Sequence, residues 1–377
     1  MHETSGEYDV SDPIVTVVVP TYNRMPHLMQ ALASIRAQSF ENLRIAVFDN
    51  ASTDDTRAYC EWLAARDPRV VYHRHPENIG AFGNFQYGLA KVDTEYFAFL
   101  SDDDLQVENF LEKALAALSA DASLAFAATR VVRVGSDGQF IGGHPSKQFV
   151  PGRFPAGSGL VHLARIGVPP WTGIVYRTSV SREVGELDLA CGIAADIDFT
   201  LRHAARHAYV LLDDVGAIFT YDLAAPHRSG YASVLDNTPG VETWIDKTRS
   251  GYGLEAEAAE ELSTMVRNRW GKGLRQAAMR AAWAGDTAFL RRVVPVLRSY
   301  DEPKRHRVDL LRPFGPVLRA VRRVNGLARR LLPAETSTRR GVRAKYPDCQ
   351  RYLDLYYAYR NGTHPLLVSR WPEPESP

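Results

Sequence analysis

The stretch that decides the fold is residues 96–104, YFAFLSDDD, an apolar run that ends in three consecutive aspartates. The apolar run indicates a strand buried on both faces, which is typical of a parallel sheet. Adjacent carboxylates repel each other unless a cation neutralises them, and both Mg²⁺ and Mn²⁺ prefer carboxylate oxygens. We therefore predict a divalent metal, Mg²⁺ or Mn²⁺, at Asp102, Asp103 and Asp104. The alternative is that these residues only cap the helix predicted to begin near Val107.

Two earlier strands also end in polar residues. Residues 15–19 (VTVVV) are followed by Pro20, Thr21, Tyr22, Asn23 and Arg24, and residues 43–48 (LRIAVF) by Asp49, Asn50, Ala51 and Ser52. Strands that alternate with helical patterns predict a doubly wound α/β domain, in which ligands bind at the carboxyl ends of the strands. We expect the three strand ends to face one crevice. The chain lacks the glycine-rich phosphate-binding loop GxxxxGK[ST], and the motif GxGxxG does not follow the first strand. The phosphates of a bound ligand would therefore be held by metal and side chains.

The composition is that of an ordinary globular protein. The 377 residues are 45% hydrophobic and 24% charged, with a net charge of +1, so nothing points to a nucleic-acid partner. Three widely spaced cysteines, Cys60, Cys191 and Cys349, argue against a disulfide framework and for a reducing compartment. Residues 1–13 lack the apolar core of a signal peptide, and no apolar run is long enough to span a bilayer. We expect a cytoplasmic protein.

Four blocks of the sequence resemble, in order and spacing, the nucleotide-binding half of the family 2 glycosyltransferases. They are VTVVVPTYNR (15–24), FDNASTDDT (48–56), NIGAFGNFQYGL (78–89) and YFAFLSDDDL (96–105). The resemblance covers residues 15–118 well and residues 171–221 more loosely. It implies the GT-A fold, a Rossmann-like doubly wound mixed sheet, here with a mostly helical C-terminal extension. The third and fourth blocks are similar to the subgroup that elaborates bacterial polysaccharides or decorates natural products.

The resemblance also implies a role for each strand end. Around the base and ribose it places Pro20, Thr21, Tyr22 and Arg24, and Asp49 would accept from the base N3–H with Ser52 beside it. Asn78 and Gly80 would lie under the nucleotide-sugar. Asp102 to Asp104 match the DxD motif, which holds metal and nucleotide. Because the family often has Asp where this chain has Ser101, the metal pair is either Asp102 with Asp104 or centred on Asp103. The structural alternatives are a packing role for Tyr22 and turn roles for Asp49, Asn78 and Gly80.

A general base must come from another segment, because an inverting transfer needs it on the sugar face opposite the diphosphate. Residues 192–202 (GIAADIDFTLR) resemble the family's Glu-Asp block at the start of a helix, and Asp196 matches the base. Ala195 stands where the family has Glu, which leaves Asp198 as the reserve candidate. For both aspartates the alternative is simple placement of an acid at a helix N-terminus.

Trp171 and Thr172 match the acceptor side of the family's site. An exposed tryptophan there would stack on a sugar ring, and the alternative is that Trp171 belongs to the core. Arg269 and Trp270 lie where processive members carry a QxxRW motif, but Val266 replaces the glutamine. We therefore expect a non-processive enzyme that adds one sugar.

Together these features predict an inverting, metal-dependent glycosyltransferase. It would move a sugar from a UDP, dTDP or GDP donor to a hydroxyl of a glycan, a lipid-linked glycan or a natural product. One alternative is a non-enzymatic nucleotide-binding or scaffold protein with a degenerate transferase fold. Another is a sugar nucleotidyltransferase, which typically needs a glycine- and lysine- or arginine-rich loop where this chain has PTYNRMP.

We expect a disordered tail at 1–13, a catalytic domain at 14–240 and a helical region at 241–377. Within the catalytic domain, residues 14–134 would form the nucleotide-sugar half and residues 135–240 the acceptor half. Residues 304–345 interleave arginines with apolar residues, which predicts a basic amphipathic stretch. It would contact the inner face of an anionic membrane, pack on the catalytic domain, or assemble a homo-oligomer.

Overall fold

The computed structural model describes residues 12–135, 138–144, 149–221, 232–250, 252–300 and 349–367. Most of the expected tail (residues 1–11) and the basic stretch at 304–345 lie outside the described residues. The chain divides into two compact units. The first comprises Met1–Leu189, Phe199–Tyr221 and Pro347–Pro377, and the second comprises Ala190–Asp198 and Asp222–Tyr346.

The first unit alternates strands and helices along its first 120 residues. Its strands are β1 (Val15–Thr21), β2 (Leu43–Asp49), β3 (Val70–Arg74), β4 (Tyr96–Phe99), β5 (Leu105–Gln106), β6 (Leu124–Gly135), β7 (Phe140–His144), β8 (Gly152–Phe154), β9 (Ile174–Arg177) and β10 (Ala208–Tyr221). Its helices are α1 (Met25–Arg36), α2 (Thr56–Ala64), α3 (Ala81–Ala90), α4 (Phe110–Ala120), α5 (Ser158–Ile166) and α6 (Thr178–Val184). Helix α7 (Ala195–Arg206) begins in the second unit and continues into the first.

The strands form one mixed sheet in the order β3-β2-β1-β4-β9-β6-β10-β5, with β7 added beside β6 and β8 beside β10. Strands β3, β2, β1 and β4 are parallel, whereas β9 runs antiparallel to both β4 and β6. Every residue of β1 is buried, as the unbroken apolar run predicts. The predicted mixed α/β fold is confirmed.

The register of the central strands positions the site. Thr21 at the end of β1 pairs with Asp49 at the end of β2, and Val18 pairs with Phe99 of β4. The residues that follow these three strands therefore emerge at one edge of the sheet. Beneath that edge, Leu28, Leu32 and Ile35 of α1 are fully buried in the core, together with apolar residues of the strands.

Strand β10 is long and irregular in its middle. It runs over residues 208–221 as one strand, and its pairing with β6 has irregularities between Leu211 and Ala217. The exposed Asp213 and Asp214 fall in this interval. The structure pairs them with Arg130 and Lys113, so the strand continues through them.

The second unit is helical, as predicted for the region after residue 241. It contains α8 (Ala232–Asp236), α9 (Thr238–Ser250), α10 (Ala256–Ala284) and α11 (Thr287–Tyr300). Helix α10 is followed by Gly285, whose left-handed backbone (φ 71°) terminates the helix. The last described helix, α12 (Cys349–Arg360), belongs to the first unit. Within the described ranges, no helix combines the length and hydropathy needed to cross a bilayer.

Candidate active site

The loops after β1 and β2 are fixed to each other by hydrogen bonds. The backbone N–H of Asn23 donates to Ser52 Oγ (2.9 Å), and the N–H of Thr53 donates to Asn23 Oδ1 (2.6 Å). Asn23 and Ala51 have positive φ angles of 52° and 64°, a conformation that non-glycine residues rarely adopt. Strained residues of this kind are held by their surroundings and cluster at functional sites.

Asp49 is fully buried at the end of β2, and its carboxylate makes two hydrogen bonds and one ion pair. Its Oδ1 accepts from the N–H of Ser52 (2.8 Å), and its Oδ2 accepts from the Tyr72 hydroxyl (2.6 Å) and lies 3.4 Å from Arg74 Nε. Burial and the hydrogen bond to Asp49 raise the pKa of Tyr72. The carboxylate thus organises the turn into Ser52, and a nucleotide base would have to share or displace the Tyr72 hydroxyl to reach it.

The turn before α3 is tied to the end of β2 through Asn50. Its Nδ2 donates to Asn78 Oδ1 (2.8 Å), and its Oδ1 accepts from the N–H of Ile79 (2.8 Å). The N–H of Gly80 also donates to Asn78 Oδ1 (2.8 Å), and the φ of Gly80 is +80°. The family resemblance assigns no role to Asn50, although this residue directly follows Asp49 in the sequence.

The first two aspartates of the run face the end of β1. Asp102 Oδ2 accepts from Thr21 Oγ1 (2.8 Å), and Arg24 Nη1 lies 3.3 Å from Asp102 Oδ1 and 2.9 Å from Asp103 Oδ2. Burial, followed by the charge of Asp103, raises the pKa of Asp102 to about 6, against the opposing effects of Arg24 and Thr21. The guanidinium of Arg24 therefore contacts one oxygen of each of the two carboxylates.

Asp104 has a different environment. It is 1% exposed, and its Oδ1 accepts from the backbone N–H of Thr220 in β10 (2.8 Å). Helix α4 begins only at Phe110, after β5, and has Asn109 as its N-terminal flanking residue. The aspartate run therefore does not cap this helix, and the helix-cap alternative is wrong.

Asp102 and Asp103 have the chemistry that a hard divalent cation requires. Their oxygens converge on one guanidinium nitrogen, and Asp103 is the more exposed of the two, with 18% of its side chain accessible. Carboxylate oxygens are the usual protein ligands of Mg²⁺ and Mn²⁺. These two residues fit the predicted metal, while Asp104 is already engaged with β10.

Trp171 and Thr172 lie in the core of the first unit. Trp171 is 8% exposed, stacks on Phe99 with 4.5 Å between ring centroids, and donates from Nε1 to Thr200 Oγ1 (3.3 Å). Thr172 is 2% exposed, and its carbonyl accepts from Gln106 Nε2 (3.2 Å). Of the two alternatives for Trp171, the structure shows core packing.

The two base candidates in the second unit differ in environment. Asp198 is fully buried and accepts from Lys247 Nζ (2.9 Å) and the Tyr252 hydroxyl (2.7 Å). Asp196 lies in the first turn of α7 and accepts from the backbone N–H of Ile197 (2.7 Å). Burial raises the pKa of Asp196 to about 6. Asp198 is thus held in an ion pair, whereas burial favours the protonated form of Asp196.

Comparison with known sequences finds a family match within the sheet region. Residues 16–180 match the model of glycosyl transferase family 2. An uncharacterized glycosyltransferase of Rickettsia bellii is 30% identical over 162 residues, 43% of this chain and 23% of the relative. The GalNAc(5)-diNAcBac-PP-undecaprenol beta-1,3-glucosyltransferase of Campylobacter jejuni is 39% identical over 93 residues, 24% of this chain and 30% of the relative. The chain thus matches less than a third of the length of either.

Among solved structures, S. aureus TarS 1-349 in complex with UDP-GlcNAc has a similar fold. The TM-score is 0.60 at 18% sequence identity, and the superposition covers 92% of each chain. At this identity the likeness concerns the fold alone. It confirms the predicted GT-A fold with its helical C-terminal region.

Proposed function

We propose that this protein is a nucleotide-sugar glycosyltransferase that moves one sugar from a nucleoside-diphosphate donor to an acceptor hydroxyl, with inversion and with the help of a divalent metal. The observation that carries the proposal is the convergence of Thr21 and Arg24 from the end of β1 with Asp102 and Asp103 from the end of β4. This is the edge at which open α/β sheets bind their ligands.

The donor would bind with its diphosphate toward this group of four residues. Arg24 is 36% exposed at its side chain, so it can reach phosphate oxygens as well as the carboxylates. Tyr22 is 43% exposed beside it and offers an aromatic face to the base. The fixed loops around Asn23 and Asp49 would hold these side chains in place without a glycine-rich phosphate loop.

Asp102 and Asp103 would hold Mg²⁺ or Mn²⁺. When bound, the metal supplies positive charge that neutralises the diphosphate leaving group. Thr21 orients Asp102 through its hydroxyl, and Asp104 keeps the loop attached to β10. Proper orientation of the ligands by such neighbours contributes strongly to metal affinity.

We assign the general base to Asp196. A base must be ionised at the working pH and still accept a proton, and a pKa of about 6 meets both conditions. Asp198 is less suited because Lys247 and Tyr252 occupy its oxygens and stabilise its charge. The acceptor would be a glycan, a lipid-linked glycan or a natural product. Trp171 is buried and would not stack on the acceptor.

The choice of donor for the first assays follows the similar proteins. TarS was solved with UDP-GlcNAc, and the Campylobacter jejuni relative is named a glucosyltransferase that acts on an undecaprenol-linked glycan. UDP-GlcNAc and UDP-glucose are therefore the first donors to test, followed by dTDP and GDP sugars. A lipid-linked acceptor would agree with a membrane contact through residues 304–345.

The test is donor turnover measured with a panel of nucleotide-sugars, in Mn²⁺ or Mg²⁺ and in EDTA. We expect release of the nucleoside diphosphate from one class of donor in metal, and none in EDTA. Binding of a donor without any turnover across acceptors would favour the scaffold alternative. Formation of a nucleotide-sugar from a nucleoside triphosphate and a sugar 1-phosphate would favour the nucleotidyltransferase alternative.

A further inference from the structure

The C-terminal helix α12 buries one face in the first unit. Leu353, Tyr356 and Tyr359 recur at three-residue spacing and are 8%, 2% and 2% exposed. They pack in one cluster with residues of α1, β5, β6 and β10, namely Ala33, Leu105, Val132, Val134 and Ile218. Burial of three large side chains gives this helix a defined position on the sheet.

Two tyrosine hydroxyls fix the helix further. Tyr356 donates to the carbonyl of Gly135 (3.3 Å), and Tyr357 donates to the carbonyl of Gly138 (3.0 Å). Gly138 has a φ of +76°, and a Cβ at this position would crowd the end of the Tyr357 side chain, so glycine favours this contact. The helix is therefore held in one register against the end of β6.

The last residue of α12, Arg360, reaches the back of the aspartate loop. Its Nη2 donates to the main-chain carbonyl of Asp103 (2.9 Å) and to Thr220 Oγ1 (3.0 Å), and its Nη1 donates to Gln30 Oε1 (2.6 Å). One guanidinium thus joins α1, the aspartate loop and β10. A planar guanidinium can serve several acceptors in fixed directions, which a lysine cannot.

Thr220 links this contact to the rest of the loop. Its side chain accepts from Arg360, while its backbone N–H donates to Asp104 Oδ1. The loop is therefore held from behind at Asp103 and Asp104, and Asp102 and Asp103 direct their carboxylates toward Arg24 on the other side. The orientation of these carboxylates depends on the main-chain position that Arg360 fixes.

We propose that Arg360 is a positioning residue for the metal-diphosphate site, and that α12 delivers it there. The inference rests on the proposed function, because it assigns the aspartate loop to metal and diphosphate. Arg360 touches the main chain of Asp103 and none of the carboxylates in the described contacts, so it acts through the loop. Groups that orient metal ligands typically change metal affinity or activity by about 10- to 100-fold when removed.

The experiment compares Arg360→Met, Arg360→Lys and the control Arg351→Met in the full chain. Arg351 is an exposed arginine on the same helix. The readouts are the Mn²⁺ dissociation constant in saturating UDP, kcat/KM and the melting temperature. For Arg360→Met we expect Mn²⁺ affinity and kcat/KM to fall by about 10- to 100-fold. Arg360→Lys should recover part of both, and Arg351→Met should equal the wild type.

A folded Arg360→Met variant with wild-type Mn²⁺ affinity would overturn the proposal. If that variant does not fold, Thr220→Val replaces it, since valine keeps the backbone N–H to Asp104 and removes one acceptor of Arg360. We expect a smaller loss of Mn²⁺ affinity in Thr220→Val, and an unchanged affinity there would equally overturn the proposal. Failure of the proposed function would look different from failure of the Arg360 proposal, because the wild type itself would then bind no Mn²⁺ with UDP.

Discussion

Arg24 Nη1 lies 2.9 Å from Asp103 Oδ2, which joins the end of β1 to the end of β4 by an ion pair. The arginine is 36% exposed at its side chain, so the pair contributes little to the stability of the fold. The main effect of the ion pair is on the site itself, because it places a positive charge beside the oxygens that a divalent cation would use. A bound divalent cation would therefore compete with the guanidinium for the same carboxylate.

The first prediction concerns which aspartates hold the metal. Asp103→Asn removes a carboxylate that faces the end of β1, and we expect kcat/KM to fall by more than about 100-fold. Such a loss exceeds the roughly 10- to 100-fold loss that is typical when a group that only orients a metal ligand is removed. Asp104→Asn keeps an oxygen that can accept from Thr220, so it should retain activity close to wild type. Steady-state kinetics in saturating Mn²⁺ measure both. An equal loss in a stable Asp104→Asn protein would instead put Asp104 in the metal pair.

The second prediction separates Asp196 from Asp198. Asp196→Asn should abolish transfer while UDP still binds, because only the proton acceptor is lost. Asp198→Asn should instead lower the free energy of unfolding by about 3 kcal/mol, since it leaves the ammonium of Lys247 without its buried partner. Transfer assays, UDP titration and chemical denaturation distinguish the two. Full activity in Asp196→Asn would move the base to another residue.

The third prediction is a pH dependence that originates in Asp196. Because its pKa is raised to about 6, the base is ionised above that value. We expect kcat/KM to be about tenfold lower near pH 5 than near pH 7. A pH-rate profile that is flat over this interval would contradict the assignment.

The same pKa shift has a consequence for stability. The fold raises the pKa of Asp196 from its ordinary 3.8, so the folded state favours the protonated form. The resulting stabilisation is fully present below about pH 4 and is lost as the pH rises through about 6. In Asp196→Asn this pH-dependent loss should disappear, which melting curves of the two proteins between those pH values would measure.

The fourth prediction tests the buried position of Trp171. Trp171→Ala removes a ring that packs on Phe99 and Phe85, and we expect a loss of about 3–5 kcal/mol in the free energy of unfolding. Trp171→Phe should cost less and leave the KM for the acceptor unchanged. A raised KM for the acceptor, with an unchanged melting temperature, would instead give the indole a role in acceptor binding.

The meeting of the strand ends could be predicted from the sequence, because each strand carries its polar residues in a short continuous block. Thr21, Arg24 and Asp102 meet because β1 and β4 are adjacent and parallel. The apolar runs indicated strands of a parallel sheet, and the structure adds that these two strands are neighbours. The exact frame of the aspartate run could not be predicted. That frame depends on Thr220, whose backbone N–H donates a hydrogen bond to Asp104 Oδ1 and which is 116 residues away in the chain.

Other contacts had no signal in the sequence. Arg360 is 257 residues from Asp103, and residues 222–348 lie between the last strand of the sheet and its helix, so no local pattern relates the two. Trp171 was undecided because burial depends on rings contributed by distant elements, here Phe85, Phe99 and Phe199. Long-range packing of this kind decides the environment of a residue without changing its local pattern.

The most direct test of the central claim is a calorimetric titration of UDP into the wild type and into Asp103→Asn, each with Mn²⁺ and with EDTA. We predict that Mn²⁺ strengthens UDP binding by the wild type and that this gain is absent in Asp103→Asn. Equal UDP affinity in Mn²⁺ and EDTA for the wild type would contradict the claim that the ends of β1 and β4 form a metal-diphosphate site.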